Sequence, residues 1–188
     1  MIKSISVYLG SAPGCDQKYK DLAYETGRRI AAGGYELVYG GADVGTMKSL
    51  ADGATSAHGK VVGIFPRGFK GTSEVRAKIS DIERHDLSEF ILVKDFAERK
   101  EMMARRGDCC IVLPGSFGTL DELFTYATDK AIGVSDKPIF VLDHEGYYAP
   151  LRDLVANMEK AGFLKPSMRD ALLFFDTLDE LFKFVSTF

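Results

Sequence analysis

The sequence predicts an α/β protein built on a doubly wound parallel sheet of about seven strands, with helices on both faces. Apolar runs of strand length alternate with stretches of helical spacing along the whole chain. Some of those runs are unbroken, residues 109–113 above all, which is the pattern of a strand covered on both faces. Glycine-rich turns that open helices follow three of them, at 10–14, 40–45 and 115–118. One such turn is ordinary in an α/β chain, whereas three at strand ends point to a ligand at the carboxyl edge of the sheet.

Taken in order, residues 2–9 form the first strand and run into Gly10-Ser11-Ala12-Pro13-Gly14. Asp16 is suited to cap a helix whose Tyr19, Leu22, Ala23 and Ile30 follow helical spacing until Gly33-Gly34 stop it. Residues 36–39 are the second strand, and the turn from Gly40 and Gly41 to Gly45 opens a helix with Met47, Leu50, Ala51 and Ala54 on one face. Residues 60–66 read as a third strand, and 67–89 as an irregular excursion with a short helix. After a strand at 90–93, a helix begins near Asp95 and carries Arg99 and Lys100 in its first two turns. That is the wrong end for cations if the helix dipole alone decides, so they either cover a solvated face or face an anion. Strands at 109–113, 138–142 and 172–175 follow, with helices from Thr119 to about Ile132, at 148–160 and at 178–188. No repeat, low-complexity segment or linker interrupts this pattern, so 1–188 reads as a single domain.

The turn at 114–119 carries the most chemistry. Pro114 ends strand pairing, Gly115 and Gly118 allow a tight turn and close approach to a ligand, and Thr119 is a good first helical residue. A helix N-terminus opening there offers free N–H groups and the positive end of the dipole, which suits a phosphate. Glu122 then sits one turn into the helix, beside the anion site. Either it serves chemistry, or Asp121 and Glu122 merely complement the dipole.

Composition narrows the partners. At 188 residues, with 46% hydrophobic and 27% charged residues, the chain has the make-up of an ordinary globular domain. A net charge of −3 leaves no basic excess, so neither nucleic acid nor an anionic membrane is an expected partner. No apolar run approaches a membrane span, the N-terminus reads straight into a strand rather than a signal peptide, and the cytoplasm is the expected compartment. Three cysteines, with Cys109 and Cys110 adjacent in a buried strand, read as core thiols rather than a disulfide framework. His58, His85 and His144 are scattered without metal-ligand spacing, so no metal is expected. No Gly-Lys-Ser/Thr follows the glycine turns, and none fits Gly-x-Gly-x-x-Gly with an acidic residue at the proper distance. Ser116 is not a nucleophile elbow, because Pro114 stands where that motif needs glycine. A small anionic ligand held by backbone N–H groups remains, with Arg99, Lys100 and Glu122 as the polar side chains at hand.

Pro114-Gly115-Ser116-Phe117-Gly118-Thr119-Leu120-Asp121-Glu122 resembles the Pro-Gly-Gly-x-Gly-Thr-x-x-Glu signature of the Lonely Guy (LOG) family, often mislabelled as lysine decarboxylases. Gly10-Ser11 resembles the family's first-strand turn, Val38-Tyr39-Gly40-Gly41 with Gly45 and Met47 its glycine loop, and Glu98-Arg99-Lys100 its Arg-Lys signature. The resemblance implies a Rossmann-like homodimer that hydrolyses the N-glycosidic bond of adenosine or cytokinin riboside 5′-monophosphates, without cofactor or metal. It implies Arg99 and Glu122 as the catalytic pair and assigns substrate and phosphate binding to Gly10, Ser11, Gly40, Gly41, Gly45, Lys100, Gly115, Ser116, Phe117, Gly118 and Thr119. An acidic residue of the irregular region also belongs to the family pattern, and both Asp81 and Glu83 are open for it. Ser116, Ala42, Lys48, Phe96 and Ala97 depart from that pattern; a side chain at 116 disfavours positive φ, and Lys48 and Phe96 narrow or recharge the base pocket. The changes at Ala42 and Ser116 motivate one alternative, a non-catalytic nucleotide-binding or carrier protein on the same fold. No lysine stands in a recognisable pyridoxal-phosphate setting, which disfavours decarboxylation.

Overall fold

A computed structural model describes residues 1–67 and 86–188. Its elements are β1 (Ser4–Tyr8), α1 (Gln17–Ala32), β2 (Glu36–Tyr39), α2 (Gly45–Ser56), β3 (Val61–Pro66) and β4 (Glu89–Val93). Then come α3 (Phe96–Arg106), β5 (Cys109–Val112), α4 (Phe117–Ala131), β6 (Ile139–Leu142), α5 (Ala149–Lys160), β7 (Leu173–Phe175) and α6 (Leu178–Val185). Seven strands form one parallel sheet in the order β4-β3-β2-β1-β5-β6-β7, the doubly wound architecture expected. The order reverses between β1 and β5, which pair directly with Ser6 opposite Cys110, and such a switch point leaves a crevice at the strands' carboxyl ends.

Successive strand residues point to opposite faces, so each strand feeds two cores. On one face Ile5, Val7, Leu37, Tyr39 and Ile111 pack against Leu22, Ile30, Leu50, Ala54 and Leu181 of α1, α2 and α6. On the other, Tyr8, Val38, Val112 and Val141 meet Met103, Leu123, Tyr126 and Leu151 of α3, α4 and α5. Cys109 belongs to the first core and Cys110 to the second, so these neighbours point apart as reduced core thiols. Burial pushes the Cys109 thiol up to about 12, which keeps it in its neutral form.

Most elements fall within a residue or two of expectation. Asp16 caps α1 by accepting from the Lys18 N–H at 3.0 Å. Two differences have physical causes. Helix α4 begins at Phe117 rather than Thr119, because Ser116 is the extended N-cap residue (φ −106°, ψ −154°) and its carbonyl already accepts from Leu120 N–H at 3.0 Å. Helix α6 ends at Val185 rather than at residue 188, because Thr187 N–H bonds back only three residues, to Phe184, and closes a turn. The excursion expected at 67–89 lies mostly outside the described residues, as do Asp81, Glu83 and His85. Among the described residues no helix is long and apolar enough to cross a membrane.

Helices α1 and α2 approach each other through glycine. A Cβ on Gly53 would stand 1.9 Å from the Tyr24 carbonyl oxygen, and one on Gly27 would stand 2.0 Å from that of Leu50. Both obstacles are backbone, so no side-chain rotation relieves them. Gly53→Ala is therefore expected to force the helices apart and to destabilise the protein by about 1–3 kcal/mol, despite alanine's better helix propensity. A urea midpoint unchanged from the parent would contradict this packing.

Candidate active site

Three glycine turns meet at the switch point. The Gly10 N–H, after β1, donates to the Pro114 carbonyl, after β5, at 3.3 Å. The Thr46 hydroxyl of α2 donates to the Gly10 carbonyl. Gly45 has a left-handed φ of +54°, and a Cβ there would stand 2.1 Å from the Ser11 carbonyl oxygen, so the turns before α1 and α2 fit together only with glycine. Beside them α4 opens. Its Phe117, Gly118 and Thr119 N–H groups lie in the first turn, where no preceding helical carbonyl can accept them. With the dipole, these donors favour an anion.

Arg99 and Glu122 both line this cleft, whose volume is about 950 Å³. Arg99, one turn into α3, donates from Nη2 to Glu122 Oε1 of α4 at 2.5 Å. Glu122 is only 5% exposed. Burial pushes its carboxyl up to about 7, and the Arg99 charge beside it opposes that rise without cancelling it. The Arg99 guanidinium carbon lies 4.9 Å from the Phe96 ring centre, and a Cβ on Gly40 would stand 3.2 Å from its Nη1. Among the described residues Arg99 Nε is buried without a hydrogen-bond partner. The adjacent carboxylate lies in different surroundings. Asp121 is solvent-facing and pairs with Lys100 Nζ at 2.8 Å.

The cleft brings together Gly10, Ser11, Gly45, Arg99, Ser116, Gly118, Thr119 and Glu122. Gly118 is open: a Cβ there would meet nothing within 4 Å, so its lack of a side chain leaves space in the cleft rather than relieving a clash. Gly40, Gly41 and Gly115 are not among the residues that line the cleft. At Gly115 a Cβ would come within 2.1 Å of Thr119 Oγ1. Two expected residues point away: Phe117 is 90% exposed and off the cleft lining, and Lys100 is held by Asp121 and by Thr125 Oγ1 at 3.2 Å. Among the departures, Ser116 needs no positive φ and makes no capping bond, so its hydroxyl remains for a ligand. Lys48 does not recharge the cleft, because Asp52 at 2.8 Å and Asp43 at 3.7 Å neutralise it. Sequence reasoning missed Tyr147, whose hydroxyl donates to the Gly115 carbonyl at 2.7 Å; two adjacent tyrosines in the connection that follows a strand were the available signal.

Such a cleft, lined by the start of a helix and by a buried arginine–carboxylate pair at the carboxyl edge of a parallel sheet, defines a Rossmann-like α/β protein. Comparison with known proteins makes this particular. Residues 47–185 match the family described as possible lysine decarboxylase. The chain is 38% identical over 171 residues to a cytokinin riboside 5′-monophosphate phosphoribohydrolase of Rhodococcoides fascians, covering 91% of this chain and 83% of that one. It is 34% identical over 177 residues to the enzyme of that name from Mycobacterium tuberculosis, covering 94% and 90%. The chain therefore belongs to this family, the Lonely Guy family of its relatives. Two solved structures share the fold. They are a molybdenum cofactor binding protein of Rippkaea orientalis (TM-score 0.69, 21% identity, 100% of this chain and 97% of that one) and a molybdenum cofactor carrier protein of Chlamydomonas reinhardtii (0.72, 16%, 100% and 98%).

The raised carboxyl has a stability consequence. The folded state binds the Glu122 proton more tightly than the unfolded chain, so the stability this adds is complete below the ordinary glutamate value of 4.5 and is lost as pH rises through about 7. Glu122→Gln removes the titration. Its stability relative to the parent is expected to be more favourable at pH 8 than at pH 5 by about 2 kcal/mol. Urea unfolding of both proteins at the two pH values measures this, and a pH-independent difference would refute it.

Proposed function

We propose that the protein is a cytoplasmic phosphoribohydrolase that splits the N-glycosidic bond of adenosine or N6-substituted adenosine 5′-monophosphates into free base and ribose 5-phosphate. The observation that carries this is the buried Arg99–Glu122 pair in the same cleft as the open N-terminus of α4. The names of the relatives support the same reaction. The carrier alternative finds no comparable support, since the molybdenum cofactor proteins share only the fold.

In this scheme the 5′-phosphate binds the N–H groups at the start of α4, with the Ser116 hydroxyl beside them. The C1′–N9 bond breaks with its electron pair moving to the base, and positive charge builds on the sugar as in other glycosidic cleavages. Ionised Glu122 stabilises that charge and accepts a proton from the water whose oxygen bonds to C1′. Arg99, always protonated, stabilises the charge on the departing base, which takes its proton from solvent. A triphosphate is a poor fit, because the turn's few donors enclose one phosphate and lack a Walker-type lysine. The same reading includes a homodimer. Met102 and Phe124 are only partly buried against the core, although Met103 is fully inside it. A monomer mass by light scattering at micromolar concentration would remove this part.

The test is release of base from AMP and from an N6-prenylated AMP, beside adenosine and ATP. Base is expected from the monophosphates and almost none from the other two. Glu122→Gln should lower turnover on the order of a hundred- to a thousandfold, because one preorganised electrostatic contact is lost. Since the mechanism needs the carboxylate, kcat/KM of the parent should fall as pH drops below about 7, and that limb should vanish from the variant's residual activity. Release from adenosine as fast as from AMP, or parental turnover by the variant, would sink the proposal.

A further inference from the structure

The geometry points to Tyr147 as a positioning residue for the phosphate-binding turn, a role that rests on the function proposed above. Four consecutive carbonyls lead from β5 into α4, and each has a donor. Leu113 accepts from the Tyr148 hydroxyl at 2.8 Å, Pro114 from Gly10 N–H at 3.3 Å, Gly115 from the Tyr147 hydroxyl at 2.7 Å, and Ser116 from Leu120 N–H at 3.0 Å. In a trans peptide the carbonyl and the next residue's N–H point in opposite directions, so each engaged carbonyl also directs the N–H that follows. The Gly115 carbonyl thus sets the direction of the Ser116 N–H, in a residue that lines the cleft.

Tyr147 differs from the other three donors. Gly10 and Leu120 donate from the backbone, and Tyr148 is buried, whereas Tyr147 is 41% exposed and contributes one hydroxyl to one loop carbonyl. Its turn is nevertheless built firmly. Buried Asp143 accepts from Tyr148 N–H at 2.5 Å and from Arg152 Nε at 2.7 Å. Glu145 and Gly146 both take left-handed φ, +53° and +75°, which reverses the chain and presents the tyrosine. The Tyr147 ring then rests edge-on against Tyr148 and Tyr19, at 4.9 and 6.0 Å between ring centres. Without the hydroxyl, the peptide between Gly115 and Ser116 is free to rotate and turn its carbonyl oxygen toward the anion. That oxygen repels phosphate where the N–H attracts it.

Tyr147→Phe keeps the ring and removes the donor. Isothermal titration with ribose 5-phosphate should show a Kd about three- to tenfold weaker than the parent's, the range expected for one hydrogen bond. The KM for AMP should rise in the same proportion, with kcat within about twofold of the parent and an unchanged urea midpoint. Tyr148→Phe, which removes a buried donor, should instead lower the urea midpoint. A parent that binds ribose 5-phosphate beside a Tyr147→Phe protein that binds it equally well would overturn this inference alone. A Tyr147→Phe protein whose urea midpoint falls as far as that of Tyr148→Phe would assign Tyr147 to fold maintenance and overturn it too. A parent that binds no ribose 5-phosphate would remove the proposed function and this inference with it.

Discussion

The contact between Arg99 and Glu122 imposes the constraint around which the cleft is arranged. Taking both charges out of water costs several kcal/mol per ion, and their attraction offsets this only when the remaining polar atoms are also satisfied. Among the described residues Arg99 Nε has no partner, and burial pushes the Glu122 carboxyl up to about 7. Phe96 lies over the guanidinium, and glycine at position 40 leaves space for it. Local tension of this kind is common where a protein trades stability for chemistry.

The sheet supplies the geometry that keeps the pair and the anion site together. Arg99 rides on the helix after β4 and Glu122 on the helix after β5, and the parallel arrangement brings both helix starts to the same edge. The loops at that edge are tied to one another through Gly10, Thr46 and Pro114 rather than to solvent. The turn before α4 consequently presents carbonyls to the protein and N–H groups to the cleft. Direction of the backbone, more than any side chain, is what supports the phosphate site proposed above.

Much of this was legible in one dimension because it depends on periodicity and on residues with few conformational options. Unbroken apolar runs such as 109–113 mark strands covered on both faces, and glycine at strand ends marks places where backbone must turn or approach closely. Arg99 and Lys100 stand out as cations at the unfavourable end of a helix, and Glu122 as a carboxylate just inside a glycine turn. The start of α4 was misplaced by two residues because Gly118 and Thr119 look like turn and cap, although Gly118 sits within the first helical turn. Nothing local separates those alternatives, since the carbonyl that settles the boundary is already engaged four residues on.

Neighbouring residues of the same charge show where one-dimensional reading stopped. Arg99 and Lys100 are adjacent cations, and Asp121 and Glu122 adjacent carboxylates, so composition and spacing treat each pair alike. A helix rotates about 100° per residue, which sends the two members of each pair to different surroundings. Arg99 meets Glu122 in the buried cleft, while Lys100 meets Asp121 toward solvent. The order of strands and helices follows from alternation within the chain. Which of two like charges is desolvated follows from how α3 and α4 pack against the sheet and each other, and so does the contact of Tyr147 with a carbonyl 32 residues away.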